Sequence, residues 1–471
     1  MLRVTPDRPW ALHDADDSRA IEQAAAATLA PHTLMQRAGF AVARLALALV
    51  PHARHLWVAC GPGNNGGDGI EAAMHLHAWG KQVTLTWAGN EADAPADARA
   101  SWRRARDAGL QVEASAPASF DLAIDALLGI GSARPLEGAM REWVLRMNAS
   151  AAPVLAVDLP SGELEATHTL SLLTLKPALF TGGGRDAAGD IWFDDLGVDA
   201  GSHPPLAWLA GPPGRIARRH DSHKGSFGDV AVIGGAPGMA GAALLAASAA
   251  LHAGAGRVFV GLLGDALAVD LAQPELMMRA WDSLDLGALS VACGCGGGNE
   301  VRTVLPRVIS TARSLVLDAD ALNAVAADAQ LQLLLQARGR RGKPTVITPH
   351  PLEAARLLGQ TTREVQADRI TAARSLADRF SCVAVLKGSG TVTAAPGRVP
   401  CINPTGNARL ATAGTGDVLA GLIAARLASQ PDGDVFEVAS GGAFDHGRTA
   451  DCWPGTRTLT AGELARSILS P

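Results

Sequence analysis

Residues 403–423 read NPTGNARLATAGTGDVLAGLI, and within them Ala413-Gly414-Thr415-Gly416-Asp417 runs straight into the apolar positions Val418, Leu419, Leu422 and Ile423. That spacing puts two glycines and an acid at the start of a helix, where unpaired N–H groups and the positive end of the dipole hold an anion. Gly414 and Gly416 let the backbone come close to a phosphate. Asp417, in the first turn, is placed to accept a proton from a hydroxyl as it attacks or leaves. An ordinary glycine turn with an acidic cap would use the same residues. The decision for phosphate comes from the rest of the chain.

Lys387-Gly388-Ser389-Gly390-Thr391 follows the strand pattern Val383 to Leu386. A lysine beside small flexible residues can meet a nucleotide phosphate, with Ser389 and Thr391 as further donors, although the GKS/T ending of a P-loop is missing. Thr348-Pro349-His350-Pro351-Leu352-Glu353 restricts the backbone around one imidazole at a strand end, although a lone histidine is more often structural than catalytic. Asp318, after the strand Leu315 to Leu317, is placed to cap a helix. Nearer the amino terminus, the strand Leu56 to Cys60 leads into Gly61 to Gly69 (GPGNNGGDG), with a helix expected over Ile70 to Trp79. Strand, glycine turn and helix deliver a phosphate to backbone N–H groups at the crevice end of a parallel sheet. The motif is not GxGxxG: Asn64, Asn65 and Asp68 supply side-chain oxygens for a cation or a polar substrate, or tie the turn to itself. Asp125 near the end of the strand Phe120 to Leu127, and Asp158 after Val154 to Val157, converge on the same rim. A buried carboxylate there needs a partner or a cation.

Together these stretches resemble one family. NPTGN with AGTGD, KGSGT, TPHPLE and His223-Lys224-Gly225-Ser226-Phe227-Gly228 are similar, in order, to the carboxy-terminal domain of the bifunctional NAD(P)H-hydrate repair enzymes, a branch of the ribokinase-like fold. GPGNNGGDG and Asp158-Leu159-Pro160-Ser161-Gly162 resemble its epimerase domain. The resemblance implies an α/β chain of two three-layer α/β/α domains: a Rossmann-like epimerase domain over 1–212 and a ribokinase-like, ADP-dependent dehydratase domain over 213–471. It further implies that the first interconverts R and S hydrates of NADH or NADPH. The second would dehydrate the S form with ADP, giving AMP, phosphate and the restored coenzyme. By resemblance, Asn65, Asp125 and Ser161 would ligate potassium, and Asp158 would be the acid–base residue. Asn64, Asn65, Gly66, Gly67, Asp68, the loop Gly129, Ile130, Gly131, Ser132, Ala133, Arg134, Pro135, and Asp158 would contact the hydrated nucleotide. In the second domain Lys387, Gly388, Ser389, Gly390 and Thr391 would hold the adenine nucleotide, as ADP or ATP with Mg2+. Gly414 and Gly416 would meet its phosphates, and His350 and Asp417 would face the substrate.

Two stretches depart from the family. After Gly162 it runs through a longer loop with an acidic-threonine-glycine segment, whereas Glu163-Leu164-Glu165 leads almost at once into Ala166 to Leu170. Where the family has Gly-Pro-Gly-Leu-Gly, this chain has Cys293-Gly294-Cys295-Gly296-Gly297-Gly298, keeping the glycines and losing the proline and leucine. The competing reading is a small-molecule kinase of the same fold, acting on a vitamin or sugar hydroxyl, with a noncatalytic amino-terminal binding module.

A chain of 471 residues is too long for one core and suggests two domains, at most three. The Gly-, Pro- and Ala-rich run Leu196 to Arg219 is the expected linker. A formal net charge of -5 gives no electrostatic reason to expect nucleic acid as a partner. The basic cluster Arg338, Arg340, Arg341, Lys343 reads as a solvated helix end. The six cysteines lack metal-site spacing, and Cys293-Gly294-Cys295 reads as an inert pair in a reducing compartment. The first twenty residues hold four aspartates, Asp7, Asp14, Asp16 and Asp17, and no apolar signal core; the apolar stretch Gly241 to Leu251 is too short to span a bilayer. A cytoplasmic homo-oligomer with no membrane partner is the expectation.

Overall fold

The structure is a computed structural model that describes residues 1–130, 135–201, 203–214 and 220–468. It forms two compact units: Met1–Thr5 with Ala11–Leu206, and Pro6–Trp10 with the chain from Ala207 onward.

In the first unit, short Val-, Leu- and Ala-rich runs such as His55–Cys60, Leu122–Ala126 and Val154–Val157 are buried nearly throughout, as strands covered on both faces must be. Across the sheet the order is Leu2–Arg3, Asp190–Asp194, His168–Leu172, Val154–Val157, Leu122–Ala126, His55–Cys60, Gln82–Trp87, Val112–Glu113. All neighbours run parallel except the edge strand Leu2–Arg3. The order reverses between His55–Cys60 and Leu122–Ala126, and a ligand crevice opens at the carboxyl ends of such a pair.

The second unit repeats this logic. Its sheet runs Met277–Met278, Arg257–Leu262, Asp229–Gly234, Ser290–Cys293, Ser314–Leu317, Thr345–Ile347, Val383–Leu386 in parallel, then Val392–Ala394 and Cys401–Ile402 antiparallel, with Ala207–Leu209 beside the last. Here the reversal lies between Asp229–Gly234 and Ser290–Cys293. Among the described residues no helix is long and apolar enough to cross a membrane.

Three features differ from the sequence reading. The helix expected from Ile70 begins at Asn64 and runs to Ala78, so the glycine-rich stretch is its first turns. The glycines serve close approach: a Cβ on Gly66 would lie 1.9 Å from the Gly61 carbonyl oxygen, and one on Gly69 would lie 2.5 Å from Ala126 Cβ. The linker contains a strand, Ala207–Leu209, hidden by its prolines and glycines. Finally, Arg338 is no solvated helix end. It is 2% exposed, donating Nε to Thr345 Oγ1 (2.8 Å) and Nη1 to the Ile309 and Ala312 carbonyls (3.0 and 2.7 Å), with Nη2 on Arg313 and Pro344. It ties the end of the helix Ala329–Arg340 to the loops beneath it. Arg338→Met (R338M) strands these acceptors and is expected to cost ~2–4 kcal/mol, read as a lower unfolding temperature by calorimetry. An unchanged midpoint would return Arg338 to a surface role.

Candidate active sites

At the switch point of the first sheet lies a cavity of about 800 Å³ lined by Asn64, Asn65, Asp68, Gly129, Ile130, Pro135, Asp158 and Lys176 among others. Asp125, at the end of the neighbouring strand Leu122–Ala126, is fully buried. Oδ1 accepts from Leu127 N (3.1 Å) and Ser161 Oγ (2.8 Å), and Oδ2 from Ser161 N (2.9 Å). Burial pushes this carboxyl up to about 6, against the hydrogen bonds from Ser161 and Leu127. No cationic side chain pairs with it among the described residues. Asn65 lies against Gly129, and its buried Nδ2 has no partner among the described residues. Of the expected ligands, Ser161 is hydrogen-bonded to Asp125 and Asn65 lies beside Gly129; side-chain oxygens and a carboxylate without a cationic partner are chemistry that suits a hard cation.

Asp158 stands at the end of Val154–Val157 in the left-handed region, φ 68°. Its carboxylate is ion-paired with Lys176, which also donates to the Leu172 carbonyl at 2.7 Å. The sequence reading passed over Lys176. The pair forms only because the chain doubles back after the strand His168–Leu172, with Leu173 at φ 65° and Thr174 N bonded to Leu172 O at 2.7 Å. The short loop after Gly162 is firmly held. Leu164 is buried, Asn148 Nδ2 donates to Glu163 O (2.9 Å), and Asn148 Oδ1 accepts from Glu165 N (3.0 Å). Gly131, Ser132, Ala133 and Arg134 lie outside the described residues.

In the second unit the helix Thr415–Ser429 begins where its glycines suggested. Gly414 is the N-cap at φ 91°, a conformation that disfavours side chains, and a Cβ there would meet Leu245 at 2.6 Å. The N–H groups of Gly416 and Asp417 have no acceptor among the described residues and remain open to an anion. A buried histidine sits beneath: His446 Nε2 donates to the Thr415 carbonyl at 2.8 Å, and burial holds its imidazole down at about 4, so it is neutral.

Four groups converge on this helix start. Lys387 Nζ lies 3.2 Å from where a Gly416 Cβ would be and is ion-paired with Asp318. Asp318 heads the helix Ala319–Ala327 but makes no side-chain capping bond there. Cys295 Sγ, an Asp318 oxygen and an Asp417 oxygen all lie within 4.8 Å of one another. Burial and then the charge of Asp318 push Asp417 up to about 6, while the Cys295 thiol, hydrogen-bonded to it, and Lys387 pull the other way. Cys295, read as inert, is thus a neighbour of the central carboxylate. Its signal was the departure from the Gly-Pro-Gly-Leu-Gly turn.

His350 caps the helix Pro351–Leu358: Nδ1 accepts from Leu352 N (3.1 Å) and Glu353 N (3.4 Å), and Glu353 Oε2 accepts from His350 N (2.8 Å). Its other nitrogen faces Glu353 Oε1 at 3.2 Å. Burial, partly offset by Lys387, pushes Glu353 up to about 7. The turn Lys387 to Thr391 is shaped by Arg369, which sequence reasoning missed: it is 4% exposed, and Nη2 donates to the carbonyls of Leu386 (3.2 Å), Lys387 (3.1 Å) and Gly390 (3.3 Å). Asn403 and Thr405 of the opening stretch bind the helix Val435–Asp451, donating to the Ala443 carbonyl (3.0 Å) and the Phe444 carbonyl (2.7 Å), and do not face the site's carboxylates.

A family described as NAD(P)H-hydrate dehydratase matches residues 230–470, and one described as YjeF-related protein N-terminus matches residues 31–178. The bifunctional NAD(P)H-hydrate repair enzyme Nnr of Escherichia coli is 38% identical over 98% of this chain and 93% of its own length. A bifunctional NAD(P)H-hydrate repair enzyme of Leishmania braziliensis is 32% identical over 97% of this chain and 91% of its own. An ADP-dependent (S)-NAD(P)H-hydrate dehydratase of Neisseria meningitidis is 46% identical over 54% of this chain and 86% of its own.

Proposed function

The chain belongs to the family of bifunctional NAD(P)H-hydrate repair enzymes, and from that premise we propose how its two sites divide the work. It is an isomerase and a lyase: one activity interconverts the R and S hydrates of NAD(P)H, and the other dehydrates the S form using ADP, releasing AMP and phosphate. We assign the first to residues 1–212 and the second to 213–471. The kinase reading stops at a phosphate ester and gives the first cavity no task, whereas the relatives match both halves.

The dehydratase assignment is carried by one observation: Asp417 stands in the first turn of a helix whose next free amides and Lys387 point to the same place. Hydroxide is a poor leaving group and phosphate a better one. Asp417 takes the proton of the ring hydroxyl, whose oxygen attacks the terminal phosphoryl group of ADP and displaces AMP. The amides of Gly416 and Asp417 and the ammonium of Lys387 stabilise the charge that builds on the phosphoryl oxygens. The phosphate then leaves as the adjacent ring carbon gives up a proton and the double bond forms. Mg2+ fits here as a companion of the nucleotide: the carboxylates of Asp318 and Asp417 suit a hard ion, the Cys295 sulfur does not, and bound Mg2+ would neutralise phosphate charge. The turn Lys387, Gly388, Ser389, Gly390, Thr391 holds the nucleotide, with Gly414 setting the backbone and His350 reaching the substrate through its exposed edge. The assay is recovery of reduced-nicotinamide absorbance from hydrated NADH with Mg2+ and ADP; no recovery, with ADP or ATP, would sink the repair reading.

In the first cavity Asp158 acts on the hydrate, whose nucleotide lies along Asn64 to Asp68 and the Gly129 to Pro135 loop. Asn65, Asp125 and Ser161 would hold potassium, which when bound supplies a fixed charge opposite Asp125 and orients the substrate's oxygens. Exchanging potassium for tetramethylammonium is expected to slow epimerisation roughly 10²-fold and leave ADP-dependent dehydration of the S form unchanged. Equal rates in both salts would remove the cation from this site. Six unpaired cysteines, four of them buried, suit a cytoplasmic setting.

A further inference from the structure

Five carboxyl groups line the first cavity, Glu22, Asp68, Asp97, Glu137 and Asp158, and three of them, Glu22, Asp68 and Asp158, interact with one buried ammonium, Lys176. Among the described residues Lys176 is ion-paired with Asp158 alone, and Asp68 has no hydrogen-bond or ion-pair partner. Two non-glycine residues in left-handed conformations, Asp158 and Leu173, set up that choice. Such strain persists where the surrounding packing over-determines it, and it clusters at working sites.

We propose that Lys176 is the positioning residue of the epimerase centre, fixing the Asp158 carboxylate by their ion pair as proton acceptor and leaving Asp68, a second catalytic residue, as the group that donates the proton. The proposal rests on the epimerase reading of this cavity.

The chemistry balances. Water added across the ring enamine leaves its hydroxyl on the carbon beside nitrogen. Asp68 gives its proton to that hydroxyl, the C–O bond breaks, water departs, and the nitrogen lone pair forms a C=N⁺ bond. Water then attacks the other face of that carbon, the C=N⁺ pair returns to nitrogen, and Asp158 takes the proton released. Afterwards Asp68 is the anion and Asp158 the acid; the reverse epimerisation or exchange with solvent restores them.

The surrounding charges agree with this division. Burial, then the charges of Asp158 and Glu22, push the Asp68 carboxyl well above the usual range, with Lys176 opposing. Glu71, on the same helix and ion-paired with Arg104, adds to that rise. Glu22 is itself raised, by burial and then Asp97 and Asp158, with Lys176 and then Arg19 opposing. Each nearby carboxylate therefore works against a second anion in the cavity.

The test uses the full chain, following R and S hydrates of NADH by chromatography from pH 5 to pH 9. ADP-dependent dehydration of the S form in the same sample serves as the control for folding. The unsubstituted chain is expected to give a bell-shaped epimerisation profile. Asp68→Asn (D68N) should lower the rate roughly 10²-fold and abolish the alkaline limb, because the acid can no longer ionise. Lys176→Met (K176M) should lower kcat for epimerisation roughly 10²-fold with KM little changed, since Asp158 loses the partner that fixes it, and Lys176→Arg (K176R) should restore most of that loss. An alkaline limb that survives in D68N, or a K176M whose kcat stays within threefold of the native value or is not recovered in K176R, would overturn the proposal and leave Lys176 a purely structural role. If K176M fails to fold, the nearly isosteric D68N decides. A native chain that dehydrates S hydrate yet never equilibrates the epimers would overturn the epimerase reading itself.

Discussion

Asp417→Asn (D417N) is expected to lower ADP-dependent dehydration by about 10²–10⁴-fold while epimerisation continues at its ordinary rate. The amide keeps the shape of the helix start but cannot take the proton of the ring hydroxyl, so phosphoryl transfer loses its base. The pH dependence carries the sign of the argument. Burial and the neighbouring Asp318 raise Asp417 to about 6. The base works only when ionised, so the rate should hold above that value and fall as pH drops through it. The acid limb should be absent from the residual rate of D417N. Recovery of reduced-nicotinamide absorbance with and without ADP across pH 5 to 8 checks both. A D417N protein within threefold of the native rate would move the base to another group, with Glu353, raised to about 7, the next candidate.

Lys387→Met (K387M) should be nearly as damaging, by a different route. The lysine is paired with Asp318, which is 1% exposed. Removing one partner leaves a charge buried without compensation, which costs about 3–5 kcal/mol. Burial works against the Lys387 charge, yet Asp318 and Glu353 hold the ammonium above the ordinary lysine range, so it is fully charged at neutral pH. Its loss should raise the KM for ADP by about 10²-fold, as expected for one charged phosphate contact. Lys387 also pulls the Asp417 carboxyl down, so the acid limb in K387M should shift to higher pH. Titration with ADP and a thermal melt separate the two losses. An unchanged KM with a lowered melting temperature would make Lys387 a structural partner of Asp318 and nothing more.

What could be read from the sequence was what is local. Val154–Val157 and Val383–Leu386 have the boundaries their apolar runs suggest, and the helix after Gly414 begins at its glycines. What could not be read is set by packing or by distant partners. Asn64 starts a helix because Gly66, Gly67 and Gly69 fit under neighbouring atoms, which periodicity does not reveal. The strand Ala207–Leu209 has neighbours only in the folded sheet. Lys176 meets Asp158 across 18 residues of chain, and Lys387 meets Asp318 across 69. The sequence therefore offered Lys387 as a phosphate contact without its carboxylate partner, and gave no sign of Lys176 at all. Arg338 misled in the opposite direction, since its basic neighbours suggested solvent while its own guanidinium satisfies carbonyls inside.

The segment Pro6–Trp10 belongs to the second compact unit although the chain on both sides of it belongs to the first. The two units are consequently not consecutive in the sequence. No single cut in the gene yields both intact: a fragment starting at residue 213 carries Lys387, Gly414, Gly416 and Asp417 yet lacks Pro6–Trp10 and Ala207–Leu209. Anyone dissecting this protein into separate activities would do better to leave the polypeptide whole and silence one centre at a time.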